Sequence, residues 1–402
     1  MNFKYSDIQI ELQDSLSKYY AKNYGFENRQ QYSTVDPGFS ELAWKHYANI
    51  GLLALTFPQS LGGLSEIEES SVYALQAKNA IESMWIMEQM GASLCLEPYL
   101  STVVMGGGTL LSYGSVSQKD DLIPRIASGE LCIAAALEEP SSRYSNVYVG
   151  TRASPKAQTT NGPHSWLITG HKCAVLNASS AQFLFVSVRT AGTPKDRMGI
   201  SLFCVPLDAK GVSLTTYTTH DGMRASDIEF NEVLVTNEQL IGELDLGIDV
   251  IEDMVARANS ALCAEAVGIM STLCKLTLDY LKTRQQFGVP IGKFQALQHR
   301  MADMIISTEQ ARSMAFLAAQ AHTSADKMKK LRDVSAAKAY ICKFGRAVGQ
   351  EAIQLHGGMG VTNELSVGHY FKRLTLIAQT FGDFNQHIGV VSDYLATESF
   401  KP

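Results

Sequence analysis

The stretch Tyr280-Leu-Lys-Thr-Arg284-Gln-Gln-Phe287-Gly288-Val-Pro290-Ile-Gly292-Lys-Phe-Gln295-Ala-Leu-Gln298-His299-Arg-Met-Ala-Asp303-Met joins two helical segments through a turn rich in glycine and proline. Upstream, apolar residues recur at helical spacing from Val250 to Thr283; downstream they do so from Phe294 to about His322, and neither segment has an interior proline. The turn carries Arg284, whose planar fork of donors suits an oxyanion, beside glycines that let backbone amides approach one closely. Taken singly, such an arginine is more simply a surface ion pair. A second turn, Gln354-Leu-His-Gly357-Gly358-Met-Gly360-Val-Thr362, closes another helical segment running from Asp333 to His356.

Working outward, a shorter helix follows Val367, and the Lys327-Met-Lys-Lys-Leu-Arg run reads as a solvated hairpin end. Segments of this length predict an antiparallel bundle. Toward the N-terminus the pattern changes. Short β-branched and aromatic runs at Trp166-Leu-Ile-Thr, Phe183 to Val188, Ile200 to Val205 and Val212 to Tyr217 are separated by turns, including Asn161-Gly162 and Asp221-Gly222. They predict an antiparallel β-domain. Before Pro124 the spacing is helical again, as in Leu12, Leu16 and Tyr19 and in Leu75, Ala80, Met84 and Met87. The expected fold is α+β, with a helical domain over 1–123, a β-domain over 124–238 and a four-helix bundle over 239–402. No Gly-x-Gly-x-x-Gly follows a strand, so a dinucleotide would be held by some device other than a Rossmann turn.

The chain has 402 residues, 46% hydrophobic and 18% charged, enough apolar content for a large core. A net charge of -6 with no basic face argues against nucleic acid. No run reaches the roughly 18 to 20 uninterrupted apolar residues of a membrane span, and the amphipathic start does not read as an export signal. The seven cysteines are dispersed and never form Cys-x-x-Cys, which suggests neither a disulfide framework nor a zinc site. A reducing cytoplasm, no metal and no membrane association are the expectations.

The stretch from Tyr280 resembles the signature of the acyl-CoA dehydrogenase family almost position for position, and the Gln354 turn resembles that family's Gln-x-x-Gly-Gly-x-Gly segment. The resemblance covers nearly the whole chain. It implies FAD as cofactor, an acyl-CoA as substrate and an electron-transfer flavoprotein as electron acceptor. Arg284, Phe287 and Gln295 are implied to meet the adenosine-diphosphate part of an FAD bound mainly to a neighbouring subunit, with Gln354, Gly357, Gly358 and Gly360 cradling the same region. In the β-domain, Ala136-Leu137-Glu138-Glu139-Pro140-Ser-Ser-Arg143-Tyr144 resembles the family's Thr-Glu-Pro-x-Ala-Gly-Ser loop, with Glu138 in the Thr place and Tyr144 in the Ser place; Leu137, Glu138 and Tyr144 are the implied flavin neighbours. Gly170-His-Lys172-Cys-Ala174-Val175-Leu176-Asn177 resembles Asn-Gly-x-Lys-x-Trp-Ile-Thr-Asn, with Ala174 and Leu176 replacing Trp and Thr.

Acyl-CoA dehydrogenation needs a carboxylate to take the α-proton. The family's place for that Glu, just before Gly-Thr near the C-terminus, is Phe381 here, and a second known place, early in the first bundle helix, is Ala258. Asp383, Glu265 and Asp253 are nearby carboxylates. Asp383 stands where the family has a Thr near the adenosine, which makes it a cofactor contact; Glu265 suits a buried polar network and Asp253 an exposed face. His299 and His356 read as local hydrogen-bonders, and His369, beside Tyr370 and Lys372, as a residue able to touch a ligand phosphate.

Ala261 to Gly268, Val367 to Arg373 and Leu96 to Gly108 further resemble the small-subunit branch of the family, the pimeloyl-CoA dehydrogenase small subunits. That implies fatty or dicarboxylic acyl substrates and a mixed tetramer with a large subunit of the same fold; a homo-oligomer stays open. Two other readings stay open: a non-catalytic partner subunit, and a flavin oxidase or monooxygenase on the same scaffold.

Overall fold

The computed structural model describes residues 7–67, 72–156 and 164–399; the turn expected at Asn161-Gly162 lies outside them. In chain order the helices are α1 (Asp7–Asn23), α2 (Phe26–Thr34), α3 (Glu41–Asn49), α4 (Val72–Ala92), α5 (Gly108–Tyr113), α6 (Val116–Ala127), α7 (Gly247–Thr283), α8 (Gln295–Ala321), α9 (Lys327–Tyr340), α10 (Arg346–His356), α11 (Ser366–Ile377) and α12 (Phe384–Ser399). The chain packs as two compact units. One comprises Ser40–Asn79 and Glu97–Ala258, the other Met1–Phe39, Ala80–Leu96 and Asn259–Pro402.

The first unit is built on an eight-stranded sheet of β1 (Ile133–Ala136), β2 (Arg152–Pro155), β3 (Ser165–Leu176), β4 (Phe183–Arg189), β5 (Ile200–Pro206), β6 (Val212–Thr218), β7 (Arg224–Thr236) and β8 (Leu240–Ile241). The order is β6-β7-β3-β2-β4-β5-β8, with β1 paired to β4. The sheet departs from the expected antiparallel pattern in one respect: β1 and β2 both run parallel to β4. Side-chain alternation is the same in either direction, so the sequence is silent on strand polarity, and the excursion through β3 supplies the crossover that a parallel pair needs. The runs Phe183–Arg189 and Ile200–Pro206 are buried almost throughout, which explains why they read as continuous apolar runs. Edge strand β6 is mostly exposed and accordingly richer in threonine. Trp166, Ile168, Leu184, Val186, Phe203, Ile228 and Phe230 form the core of this unit.

The second unit is helical. Here α8 packs on α9, α9 on α12, and α10 on both α8 and α11. The apolar length of α7 would suffice for a membrane span, yet 67% of its most apolar window is buried in the protein. Two expectations are corrected. The Lys327 run is the first turn of α9 rather than a hairpin end, because the Asp326 carboxylate caps the amides of Met328 at 2.9 Å and Lys329 at 3.1 Å, and Lys329 reaches Asp333 at 2.9 Å. The helix expected over Asp333 to His356 is interrupted by a π-helical turn at Ile341–Gly345.

Candidate functional site

The Arg284 turn is a small hairpin of β9 (Gln285–Gln286) and β10 (Val289–Pro290). Its two tip residues, Phe287 and Gly288, have φ of 55° and 78°, the double positive φ of a tight hairpin turn. The Arg284 amide donates to Tyr280 O at 2.8 Å and its carbonyl accepts from Ile291 N at 2.9 Å, so its backbone is fixed. Its guanidinium is exposed and bonds to nothing among the described residues. Phe287 is 91% exposed and meets Phe294 edge-on, centroids 6.1 Å apart. Gln295, the first residue of α8, is exposed.

The Gln354 turn lies beside it. The His356 ring packs on Tyr280 with centroids 4.4 Å apart, which brings the end of α10 against the last turn of α7, one turn before Arg284. Nδ1 of His356 is 2.8 Å from Ala352 O, a local bond as expected. Gln354 is exposed. The three glycines differ in their reasons. A Cβ on Gly360 would lie 2.6 Å from Ile353 O, so packing demands glycine there. Gly357 has φ 61° and ψ -142°, which side chains disfavour. A Cβ on Gly358 would meet nothing within 4 Å, so no neighbour within the described residues requires glycine at that position. An unengaged guanidinium, an exposed amide and open glycine backbone together are the donor chemistry that a diphosphate requires, so the residues present fit FAD.

In the sheet unit, Leu137, Glu138 and Tyr144 lie between β1 and β2. Arg143 and Tyr144 have φ of 44° and 69°, and Tyr144 is half-buried. The Glu138 carboxylate accepts from Ser142 Oγ at 2.7 Å and its carbonyl accepts from Cys173 N at 2.9 Å. The Leu137 carbonyl accepts from Lys172 Nζ at 3.3 Å. Fully buried Lys172 also donates to Ser187 Oγ and Glu139 Oε1, both at 2.8 Å. Glu139 takes the amides of Gly150 at 2.8 Å and Thr151 at 3.0 Å. Burial alone would raise its carboxyl, but Lys172 and those amides outweigh burial and hold it below the usual range. Desolvation pulls Lys172 below the ordinary lysine value despite Glu139. This pair anchors the loop carrying Leu137 and Glu138. Ala174 has φ 53° within the irregularity between Lys172 and Val175, where β3 shifts register against β7.

Neither family base place holds a proton acceptor: Ala258 is fully buried and Phe381 half-buried. The nearby carboxylates are engaged elsewhere. Glu265 takes Arg373 bidentately, Nε at 2.5 Å and Nη2 at 2.8 Å, both side chains buried. Asp253 does not face water as expected; it is 7% exposed and paired with Arg257, which also reaches Thr109 at 3.1 Å. Asp383 accepts from Gln386 N at 2.9 Å, capping α12. His369 likewise has a local partner, Asn363 O at 3.2 Å, and its ring packs edge-on against Phe26. Sequence reasoning missed a buried polar group under Phe381, formed by Asn259, Lys338 and His387. Its one signal is a lysine inside the apolar run Val334 to Ile341.

Comparison with known proteins identifies the family. Family models for the N-terminal, middle and C-terminal domains of acyl-CoA dehydrogenase match residues 6–130, 134–233 and 245–394. The short-chain specific acyl-CoA dehydrogenase of Sus scrofa is 26% identical over 339 residues, covering 83% of this chain and 77% of that protein. Among solved structures, butyryl-CoA dehydrogenase of Megasphaera elsdenii superposes with a TM-score of 0.85 at 19% identity, covering 98% and 100% of the two chains. The ChsE4-ChsE5 complex of Mycobacterium tuberculosis does so with 0.82 at 22%, covering all of both. The chain belongs to the acyl-CoA dehydrogenase family. It is an FAD-binding oxidoreductase that acts on acyl-CoA.

Proposed function

We propose that this chain is the base-lacking subunit of a heteromeric acyl-CoA dehydrogenase that oxidises an acyl thioester between Cα and Cβ to the 2,3-enoyl-CoA. The carrying observation is the replacement of both base places by Phe381 and Ala258, with Glu265, Asp253 and Asp383 each engaged in structural bonds. A large subunit of the same fold supplies the carboxylate, and this chain contributes Arg284, Phe287, Gln295, Gln354 and the Gly357–Gly360 turn to the FAD diphosphate. Asp383 near the adenosine, and Leu137, Glu138 and Tyr144 near the flavin, are the other contacts in this reading. FAD, when held there, would supply the acceptor for the β-hydride, and an electron-transfer flavoprotein would receive the electrons. Acyl groups of the dicarboxylic, pimeloyl-like type are proposed from the resemblance to pimeloyl-CoA dehydrogenase small subunits. The occurrence of two-component complexes among proteins of this fold supports the reading.

We place the protein in the cytoplasm, where its seven cysteines stay reduced; all are free, and burial pushes the Cys204 and Cys263 thiols up to about 12. Co-purification with its companion chain and native mass measurement test the reading. A mixed tetramer that carries FAD and bleaches anaerobically with an acyl-CoA is expected. Full activity from the isolated chain would refute it, and peroxide formation in air would instead identify an oxidase.

A further inference from the structure

The buried group under Phe381 has no part in the function proposed so far. Lys338, on α9, is 0% exposed. Its Nζ donates to Asn259 Oδ1 at 3.0 Å, Thr380 O at 2.5 Å and Gly382 O at 3.4 Å. Asn259 in turn donates through Nδ2 to Phe381 O at 3.2 Å. Two side chains therefore hold the carbonyls of three successive residues. Three acceptors match the three N–H donors of an ammonium, and no carboxylate is among its hydrogen-bond partners.

Burying such a cation costs free energy that only good hydrogen bonds offset. The turn it holds is itself strained. Phe381, a non-glycine residue, has φ 54°, and Gly382 has φ 117° with His387 Nε2 only 2.6 Å from where a Cβ would lie. The Cβ of an L-residue crowds the following carbonyl in this left-handed region. Strain of this kind persists where the surroundings over-determine it, and it concentrates at functional positions. Residue 381 is where the family resemblance places the proton-abstracting carboxylate.

We propose that Lys338, seconded by Asn259, is the positioning residue of the Thr380–Gly382 turn, and that the chain thereby keeps the seat of a catalytic base although phenylalanine now occupies it. This rests on the acyl-CoA dehydrogenase reading above. The clamp is tested by amide hydrogen exchange on the assembled, FAD-loaded protein. Lys338→Met and, separately, Asn259→Ala should each speed exchange of the hydrogen-bonded amides that flank the turn, Thr380 and Gln386, at least tenfold while the amides of Arg284 and Ile291 keep their rates. Unchanged exchange at Thr380 and Gln386 in either folded variant overturns the clamp.

The seat is tested by Phe381→Glu, in the assembly whose large subunit carries glutamine in place of its own proton-abstracting carboxylate, with an α-deuterated acyl-CoA analogue bearing sulfur at Cβ, which has no β-hydrogen to lose. The Cα–D bond breaks toward the introduced carboxylate and a solvent proton replaces the deuteron. Washout should rise by on the order of 10²-fold or more. Adding Lys338→Met should reverse that gain at least tenfold with the analogue's Kd unchanged. No gain from Phe381→Glu in protein that binds FAD and the analogue would refute the seat, as would a double variant as fast as the single. Protein that binds neither would refute the family function instead, and the exchange data would still report on the clamp.

Discussion

Two cations in the helical unit face opposite circumstances. Lys338 is wholly enclosed, with three protein oxygens around its ammonium; Arg284 sits on a fixed backbone with its guanidinium exposed and unbonded. The difference separates groups whose work is internal from groups waiting for something outside the chain. Substitution of the first kind should cost folding, and of the second kind ligand retention.

The largest effect should come from Glu265→Ala, which takes the bidentate carboxylate away from buried Arg373. A loss of about 3–5 kcal/mol is expected in denaturant unfolding, and a loss under 1 kcal/mol would mean that the pair is exposed in solution. Arg284→Ala should do the reverse. Its apoprotein should unfold as the wild type does, while FAD affinity falls about 10- to 100-fold, the equivalent of about 1.5–3 kcal/mol for a charged hydrogen bond. Equal destabilisation of the apoprotein would blur the comparison.

A pH experiment sharpens it from the enclosed side. Burial, then the nearby Lys338 charge, depresses His387 from 6.5 to about 3. Because the folded value is the lower one, its stabilising contribution is complete above about 6.5 and is lost as pH falls from there toward 3. The slope is at most about 1.4 kcal/mol per pH unit. His387→Gln should flatten the wild-type decline between pH 6.5 and 5, and an identical decline in both would contradict the burial. The smallest effect should be that of Asp383→Ala, about 1 kcal/mol for loss of a helix cap. A drop in FAD content without loss of stability would give Asp383 a cofactor role as well.

Much of this was legible in the sequence because it follows from local periodicity. The long apolar stripes gave α7 and α8, and the runs at Phe183 and Ile200 gave β4 and β5. What stayed hidden depends on contacts between distant positions. Parallel pairing of β1 with β4 leaves no mark on alternation. Asp253 reads as a surface carboxylate until its pairing with half-buried Arg257, one turn on, is seen. The Arg284 and Gln354 turns were legible as a dense motif, whereas the clamp of Lys338 and Asn259 is not, because 79 residues separate the two and most of its acceptors are backbone oxygens that carry no residue identity.

The π-turn at Ile341–Gly345 lies between Lys338 and Gln354 on one nearly continuous helical rod. One residue beyond the α-helical count shifts everything after it by about 100° in azimuth. Deleting a single residue there would therefore swing the glycine turn about a quarter to a third of the way around the rod while leaving the lysine in place, so the spacing of this segment encodes an angle as much as a length.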